Sequence, residues 1–196
     1  VQIVDHVDSQ ALLALTAFQA AQQFSPASGY VDQGLDAMER LFAQILTEPL
    51  PGGMPWLEHL DVLGAVRVMH LGLGTMKPFD NFYLEGHLGG YLAPGLEIGS
   101  DEEKAAAAAL ASVKVNLDAV EHEFRPGYRR LVTPTKATFE QKVRGVAFQV
   151  EGAADVVLKV ATQHFKLGEI AQDLKAPLLE RISERPCLLA LRTWWD

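Results

Sequence analysis

The strongest structural signal in the sequence lies between Ser100 and Phe124. Ser100 and Glu103 have the spacing of a capping box, and the two acids between them place negative charge at the positive end of a helix dipole. A run of five alanines then supplies high helical propensity. Apolar residues recur at spacings of three and four along one face: Leu110, Val113, Leu117, Val120 and Phe124. The sequence therefore predicts one long helix over 101–124, ended by the Arg-Pro-Gly that follows.

Three other segments carry helical periodicity. Apolar spacings of three and four predict one helix over 10–23 and a second over 32–47. A last helix is predicted over 168–184, where Pro177 would kink or divide it.

Two valine-rich segments fit either a helix or strands. The first, 55–71, starts with a proline, which favours a helix, but its alternating valines also fit a strand. The second, 135–164, keeps an apolar spacing of three or four throughout, which favours a helix. Its rival is a β-hairpin that turns at Gly152.

Together these signals predict a mostly α, single-domain, multi-helix fold over residues 1–196. Among the helices lies a segment rich in glycine, proline and aromatic residues, 72–99, which we expect to be irregular or to form short strands. The alternative is an α+β fold with hairpins near 61–98 and 139–162.

The segment 72–99 is also the first candidate for a binding site. Long stretches without a helical period are often binding loops, in which glycines permit close backbone approach and aromatic rings offer contact area. The expected contacts are Lys77, Phe79, Phe82, Tyr83, His87 and Tyr91. His70 or His87 would carry any acid–base chemistry. The alternative is a structural arm that packs its own aromatic rings together.

Two adjacent tryptophans, Trp194 and Trp195, follow the apolar run 187–191. Indole rings are costly to leave in water, so we expect both to be buried. They either fold back on their own domain or dock on a neighbouring subunit, since tryptophan is enriched at interface hot spots. Both therefore join the candidate partner-binding residues.

Charge and motifs narrow the functional classes. The net charge of −8 argues against a dedicated nucleic-acid binder, and Arg125, Arg129 and Arg130 are predicted to form a solvated corner. Asp118 and His122 would share a face of the long helix, but no Glu-x-x-His accompanies them, so no metal site is predicted. The standard nucleotide, zinc-hydrolase and serine-hydrolase motifs are missing, and no cofactor is expected.

The single cysteine, Cys187, excludes an intramolecular disulfide. With no secretory leader visible, we expect a cytoplasmic location. No apolar run approaches the roughly 18 residues that a transmembrane helix needs. Cys187 itself follows a proline in an apolar run, which is typical of a buried, inert thiol.

These observations favour a non-catalytic interaction or assembly protein that forms an oligomer or a subunit of a larger complex. The helical seams, the aromatic segment and the tryptophan pair offer surfaces, whereas catalytic motifs are missing. The alternative is a small soluble enzyme or ligand-binding protein with its site at 72–99, because many active sites have no local signature.

Overall fold

Short α-helices dominate the computed structural model, which describes residues 8–53, 55–64, 66, 77–145 and 151–196. Within these residues the chain forms nine α-helices and one three-stranded sheet, so the mostly α fold class is confirmed. The helices are α1 (Ser9–Gln23), α2 (Val31–Ile45), α3 (Pro55–Val62), α4 (Glu85–His87), α5 (Asp101–Ser112), α6 (Lys136–Gly145), α7 (Ala153–Gln163), α8 (Lys175–Ser183) and α9 (Pro186–Trp195). The strands are β1 (Leu96–Glu97), β2 (Ala119–Glu121) and β3 (Tyr128–Leu131).

The first hydrophobic core gathers α1, α2, α8, α9 and the segment 79–92. Helix α1 buries a row of alanines, and small side chains allow its neighbours to approach closely. The larger buried side chains come from α2, α8 and α9: Leu35, Phe42, Leu178, Ile182, Leu188 and Leu191. Helix α9, which the sequence did not predict, is therefore a central part of this core.

A second core lies under the sheet and is built by α5, α6 and α7. Its buried side chains include Leu131, Phe139, Val143, Val157, Val160 and Phe165. The strands are antiparallel in the order β1–β3–β2, with Leu96 opposite Arg129 and Val120 opposite Arg130.

The long helix predicted over 101–124 is wrong in its second half. Helix α5 ends at Ser112, where Lys114 takes a left-handed conformation with φ of 56°. The N–H of Lys114 donates to Ala111 O at 3.2 Å and that of Val115 to Leu110 O at 3.1 Å, the two bonds of a Schellman motif. The chain then turns back as β2. The apolar seam that continued beyond Ser112 was a coincidence of spacing.

The segment 135–164 forms two helices, α6 and α7, with residues 146–150 between them outside the described part. The alternative hairpin near 139–162 is therefore wrong. In the described part of 61–98 the strand is β1, which pairs with β3 and not with a neighbour in a local hairpin. Residues 67–76 lie outside the described part.

The predicted segment 72–99 is described from Lys77 onward and is more helical than expected. A π-helical turn, Asp80–Leu84, runs directly into α4. The last predicted helix begins later than expected, because Gly168 has a φ of 104° and α8 starts at Lys175. No helix in the described residues is both long and apolar enough to cross a bilayer.

A buried arginine joins the sheet to the helical core. The Arg130 side chain is 0% exposed and makes a two-pronged ion pair with Glu123, Nε to Oε2 at 2.6 Å and Nη2 to Oε1 at 2.5 Å. Its Nη1 donates to Gly29 O at 2.9 Å and Leu131 O at 3.1 Å. The guanidinium also lies 5.3 Å from the ring centre of Tyr91. For Arg130, the predicted solvated corner is therefore wrong.

His122 also departs from its predicted place on a helical face beside Asp118. It follows β2 and is buried, with Nε2 3.1 Å from Ala93 O. Its Nδ1 accepts the N–H of Phe124 at 3.2 Å, so Nε2 carries the proton and donates to the carbonyl. Burial lowers the pKa of His122. The residue acts as a neutral connector between two loops.

Candidate functional site

The aromatic residues expected to contact a ligand lie together in the interior. The ring of Trp195 stacks almost parallel to Phe82 at 5.0 Å and to Phe18 at 5.2 Å between centroids. Phe79 stacks on Tyr83 at 4.9 Å and meets Trp195 edge-on at 6.3 Å. Neither of the two clefts described below is lined by Phe79, Phe82 or Tyr83. In this arrangement the rings form a core between α1, α9 and the π-helical turn.

His87 lies at the edge of this aromatic cluster. Its ring stacks on Tyr83 at 5.2 Å, and its Nδ1 is 2.7 Å from the hydroxyl of Ser25. Burial lowers the pKa of His87, so the imidazole is neutral near pH 7. A serine and a base are thus within hydrogen-bond distance, but the described residues provide no carboxylate that is hydrogen-bonded to His87 and could orient it.

Tyr91 and Lys77 each form a hydrogen bond within the fold. The hydroxyl of Tyr91 donates to Ser28 O at 2.6 Å, and burial raises its pKa. Lys77 is exposed, and its carbonyl accepts the indole N–H of Trp195 at 3.0 Å. The eight predicted contact residues therefore do not line one pocket.

The tryptophan pair folds back on its own chain. Trp195 donates its indole N–H to Lys77 O, whereas Trp194 donates to Pro51 O at 2.9 Å. At the other end of α9, the carboxylate of Glu39 accepts the N–H groups of Cys187 at 3.0 Å and Leu188 at 3.0 Å. Two otherwise unpaired donors of the helix N-terminus are satisfied in this way. Helix α9 is therefore held at both ends.

A large cleft lies between residues 46–57 and α9, with a volume of about 1050 Å³ and one side open to solvent. The rings of Trp56 and Trp194 are 5.7 Å apart between centroids, inclined at 41°, and both are only partly buried. The walls are mostly apolar. The described residues that line it are Leu46, Thr47, Glu48, Pro49, Leu50, Gly52, Gly53, Trp56, Leu57, Pro186, Cys187, Ala190, Thr193, Trp194, Trp195 and Asp196.

Two carboxylates provide the charge among these lining residues. Glu48 accepts a hydrogen bond from the side-chain amide of Gln10 at 2.9 Å, and Asp196 accepts the backbone N–H of Phe79 at 2.9 Å. Each carboxylate is therefore held in place. No lysine or arginine belongs to the described lining.

Cys187 also lines the cleft and is a free, half-buried thiol. Burial raises its pKa, and the adjacent Glu39 raises it further. The thiolate that a nucleophile or metal ligand requires is therefore disfavoured. Within the described part of the chain, no group of three or more His, Cys, Asp or Glu residues could hold a metal ion.

A second, smaller cleft of about 440 Å³ lies between α5 and the sheet. Its floor is apolar, with Leu110 and Phe165, and its rim carries Lys114 and an ion pair of Arg129 with Glu103 at 3.0 Å. Among the described residues of this lining, the charges of Glu103 and Arg129 compensate each other, so fewer charged groups are left without an ion pair here than in the larger cleft.

Sequence reasoning identified one wall of the large cleft and missed the other. The tryptophan pair was singled out, but residues 49–53, between the predicted helix 32–47 and the segment 55–71, were interpreted only as a break in the chain. The available signal was a loop rich in proline and glycine that contains Leu50 and lies between Leu46 and Trp56, large apolar residues that a solvated linker does not need.

No protein-family model, curated protein or solved structure matches the chain. A proposal for its function must therefore be argued from the geometry of the chain itself.

Proposed function

We propose that the chain is a non-catalytic interaction protein, and that the large cleft takes an apolar segment of a protein partner. The observation that carries this proposal is the partly buried pair of Trp56 and Trp194 on an open, mostly apolar wall. Apolar surface of this kind marks interaction sites, and tryptophan contributes strongly to them. The single free cysteine supports a reducing, cytoplasmic setting.

Shape and chemistry favour a protein segment over a reacting substrate. The cleft is at the upper limit of the roughly 300–1,000 Å³ that small-ligand sites occupy, and those sites enclose most of their ligand. This cleft is an open groove along α9, a form in which a helix or strand of a partner can lay its apolar face. The thiol of Cys187 is held protonated, so it is a poor nucleophile.

The test uses a neutral amphipathic peptide of leucine, serine and glutamine as the probe, with intrinsic tryptophan fluorescence as the readout. Binding in the cleft should shift the emission of Trp56 and Trp194 to shorter wavelength and protect both from acrylamide quenching. Ala190 is exposed and lines the cleft, so Ala190→Gln should block it while preserving helical propensity. We expect at least about a tenfold loss of affinity, or 1.4 kcal/mol.

Leu189 supplies the matched control, because it is 39% exposed on the same helix and does not line the cleft. Leu189→Gln should bind the peptide like the unmodified protein. Equal binding by all three proteins would show that the peptide does not use the cleft and would refute the proposal. Light scattering of the free protein reports whether a second copy fills the groove, in which case Ala190→Gln should dissociate the oligomer.

A further inference from the structure

The charges around the large cleft define which partner segment it suits. We infer that the occupant is an amphipathic segment that carries lysine or arginine beside its apolar side chains. This inference rests on the proposed function and specifies the chemistry of the partner. Its basis is the combination of two fixed carboxylates, two tryptophan rings and no cation in the described lining.

The two carboxylates are placed on opposite walls. Glu48 belongs to the segment 46–57, and Asp196 follows the last residue of α9. Gln10 holds the first by its side-chain amide and Phe79 holds the second by its backbone N–H, and neither donor carries a charge. Among the described residues, neither negative charge is paired with a lysine or arginine, although each carboxylate is held by a hydrogen bond.

The two described arginines of α9, Arg185 at its N-cap and Arg192 in its last turn, are already engaged elsewhere. Arg185 pairs with Asp32 at 3.2 Å and Asp36 at 2.8 Å, and Arg192 lies 3.5 Å from Asp80. Lys77 approaches the end of α9 through its carbonyl but does not line the cleft. A basic partner therefore meets no like charge in the described lining, whereas an acidic segment or a nucleic acid meets two.

The tryptophan rings favour the same partner. A lysine or arginine beside an indole face gains a cation–π interaction in addition to its attraction to a carboxylate. Trp56 and Trp194 are both partly exposed in the cleft that holds Glu48 and Asp196. One basic side chain can therefore contact both the indole rings and the carboxylates, since its apolar stem packs on the rings while its charged head stays in water.

The experiment compares three peptides of one length and one leucine pattern, with lysine, glutamine or glutamate at the polar positions. We expect the lysine peptide to bind about tenfold more tightly than the glutamine peptide, a difference of 1.4 kcal/mol, and the glutamate peptide to bind most weakly. Raising the salt concentration to about 1 M should remove most of the difference, because the Debye length then falls to about 3 Å.

The double variant Glu48→Gln with Asp196→Asn removes both charges and preserves their acceptor oxygens. It should bind the lysine and glutamine peptides equally and keep the affinity of the original protein for the glutamine peptide. The matched control is Glu102→Gln with Asp155→Asn, which removes two exposed charges outside the cleft and should keep the preference for lysine. Circular dichroism checks that each variant is folded, and the two single cleft variants should each lose part of the preference.

The outcomes separate the two proposals. Equal binding of the three peptides to the original protein, combined with weaker binding to Ala190→Gln, would overturn the basic partner and retain an apolar one. Peptide binding that Ala190→Gln does not change would overturn both. An oligomer of the free protein that Ala190→Gln dissociates would make a second copy the occupant and would likewise overturn the basic segment.

Discussion

Glu123→Gln is the sharpest test of the energetics of this fold, because it removes the charge opposite a fully buried arginine. Arg130 donates two hydrogen bonds to the Glu123 carboxylate, and its own side chain is 0% exposed. A charge-assisted hydrogen bond contributes about 1.5–3 kcal/mol. Glutamine retains one acceptor oxygen, so one bond is lost and the other loses its charge.

The loss in the free energy of unfolding depends on how far water can replace the lost carboxylate oxygen. Removing one partner of a fully buried pair costs about 3–5 kcal/mol. Glu123 is 29% exposed, so water reaches part of the gap, and we expect a loss of about 2–3 kcal/mol in the free energy of unfolding. For a chain of 196 residues this corresponds to a fall in Tm of about 4–12 °C.

The assay is urea unfolding followed by circular dichroism, with Glu121→Gln as the control. Glu121 lies two residues earlier, at the exposed end of β2, and should change stability by less than about 0.5 kcal/mol. If Glu123→Gln is as stable as this control, the buried pair does not stabilise the fold and the reasoning is refuted.

The same pair predicts a dependence on pH. Burial opposes the charge of Glu123, but the hydrogen bonds and positive charge of Arg130 outweigh burial and hold its pKa below the ordinary 4.5. A lowered carboxyl pKa stabilises the fold above the unfolded value, and this stability is lost as the pH falls through the folded value. Urea midpoints below pH 4.5 should therefore fall more steeply for the original protein than for Glu123→Gln.

Three further outcomes follow from the geometry. Because burial lowers the pKa of His122, the unfolded chain takes up a proton at this residue at a higher pH than the folded protein does. The free energy of unfolding should therefore fall as the pH drops below 6.5. His122→Gln should make this fall less steep in urea titrations at different pH. Gly29→Ala would place its Cβ against the backbone of Val132 and Thr133 and should cost at least about 1–3 kcal/mol by thermal unfolding. The matched Gly86→Ala meets nothing within 4 Å and should not destabilise. Trp194→Phe removes the indole hydrogen bond to the carbonyl of Pro51 and should lower the free energy of unfolding by about 0.5–1.5 kcal/mol. The control is Trp56→Phe, which likewise removes one tryptophan from the fluorescence signal.

Features that depend on adjacent residues could be predicted from the sequence. Half of the capping box forms as predicted, because the Ser100 hydroxyl accepts the N–H of Glu103 at 3.1 Å. The Glu103 carboxylate accepts the N–H of Gly99 at 2.5 Å, one residue before the N-cap, and not that of Ser100. The end of the same helix could not be predicted, because Lys114 takes a left-handed conformation that usually signals itself through glycine. Periodicity then extended the helix over a strand whose partner begins at Tyr128.

At the candidate site, too, local features could be predicted from the sequence, whereas contacts between distant residues could not. The need to cover Trp194 and Trp195 is a property of the indole ring, and the sequence shows it directly. Their acceptors, Pro51 and Lys77, lie 143 and 118 residues earlier, and no local pattern identifies them. Arg130 was misjudged for the same reason, since its acceptor on Gly29 is 101 residues away.

The attachment of α9 to Glu39 also affects how the chain reaches its fold during synthesis. Cys187 and Glu39 are 148 positions apart, and a ribosome that adds about 5–20 residues per second needs roughly 7–30 s to make that stretch. Until then α1 and α2 have no α9 to cover their apolar faces. Closure of so long a loop is intrinsically slow, so we expect the first core to complete late and the nascent chain to depend on protection from aggregation in that interval.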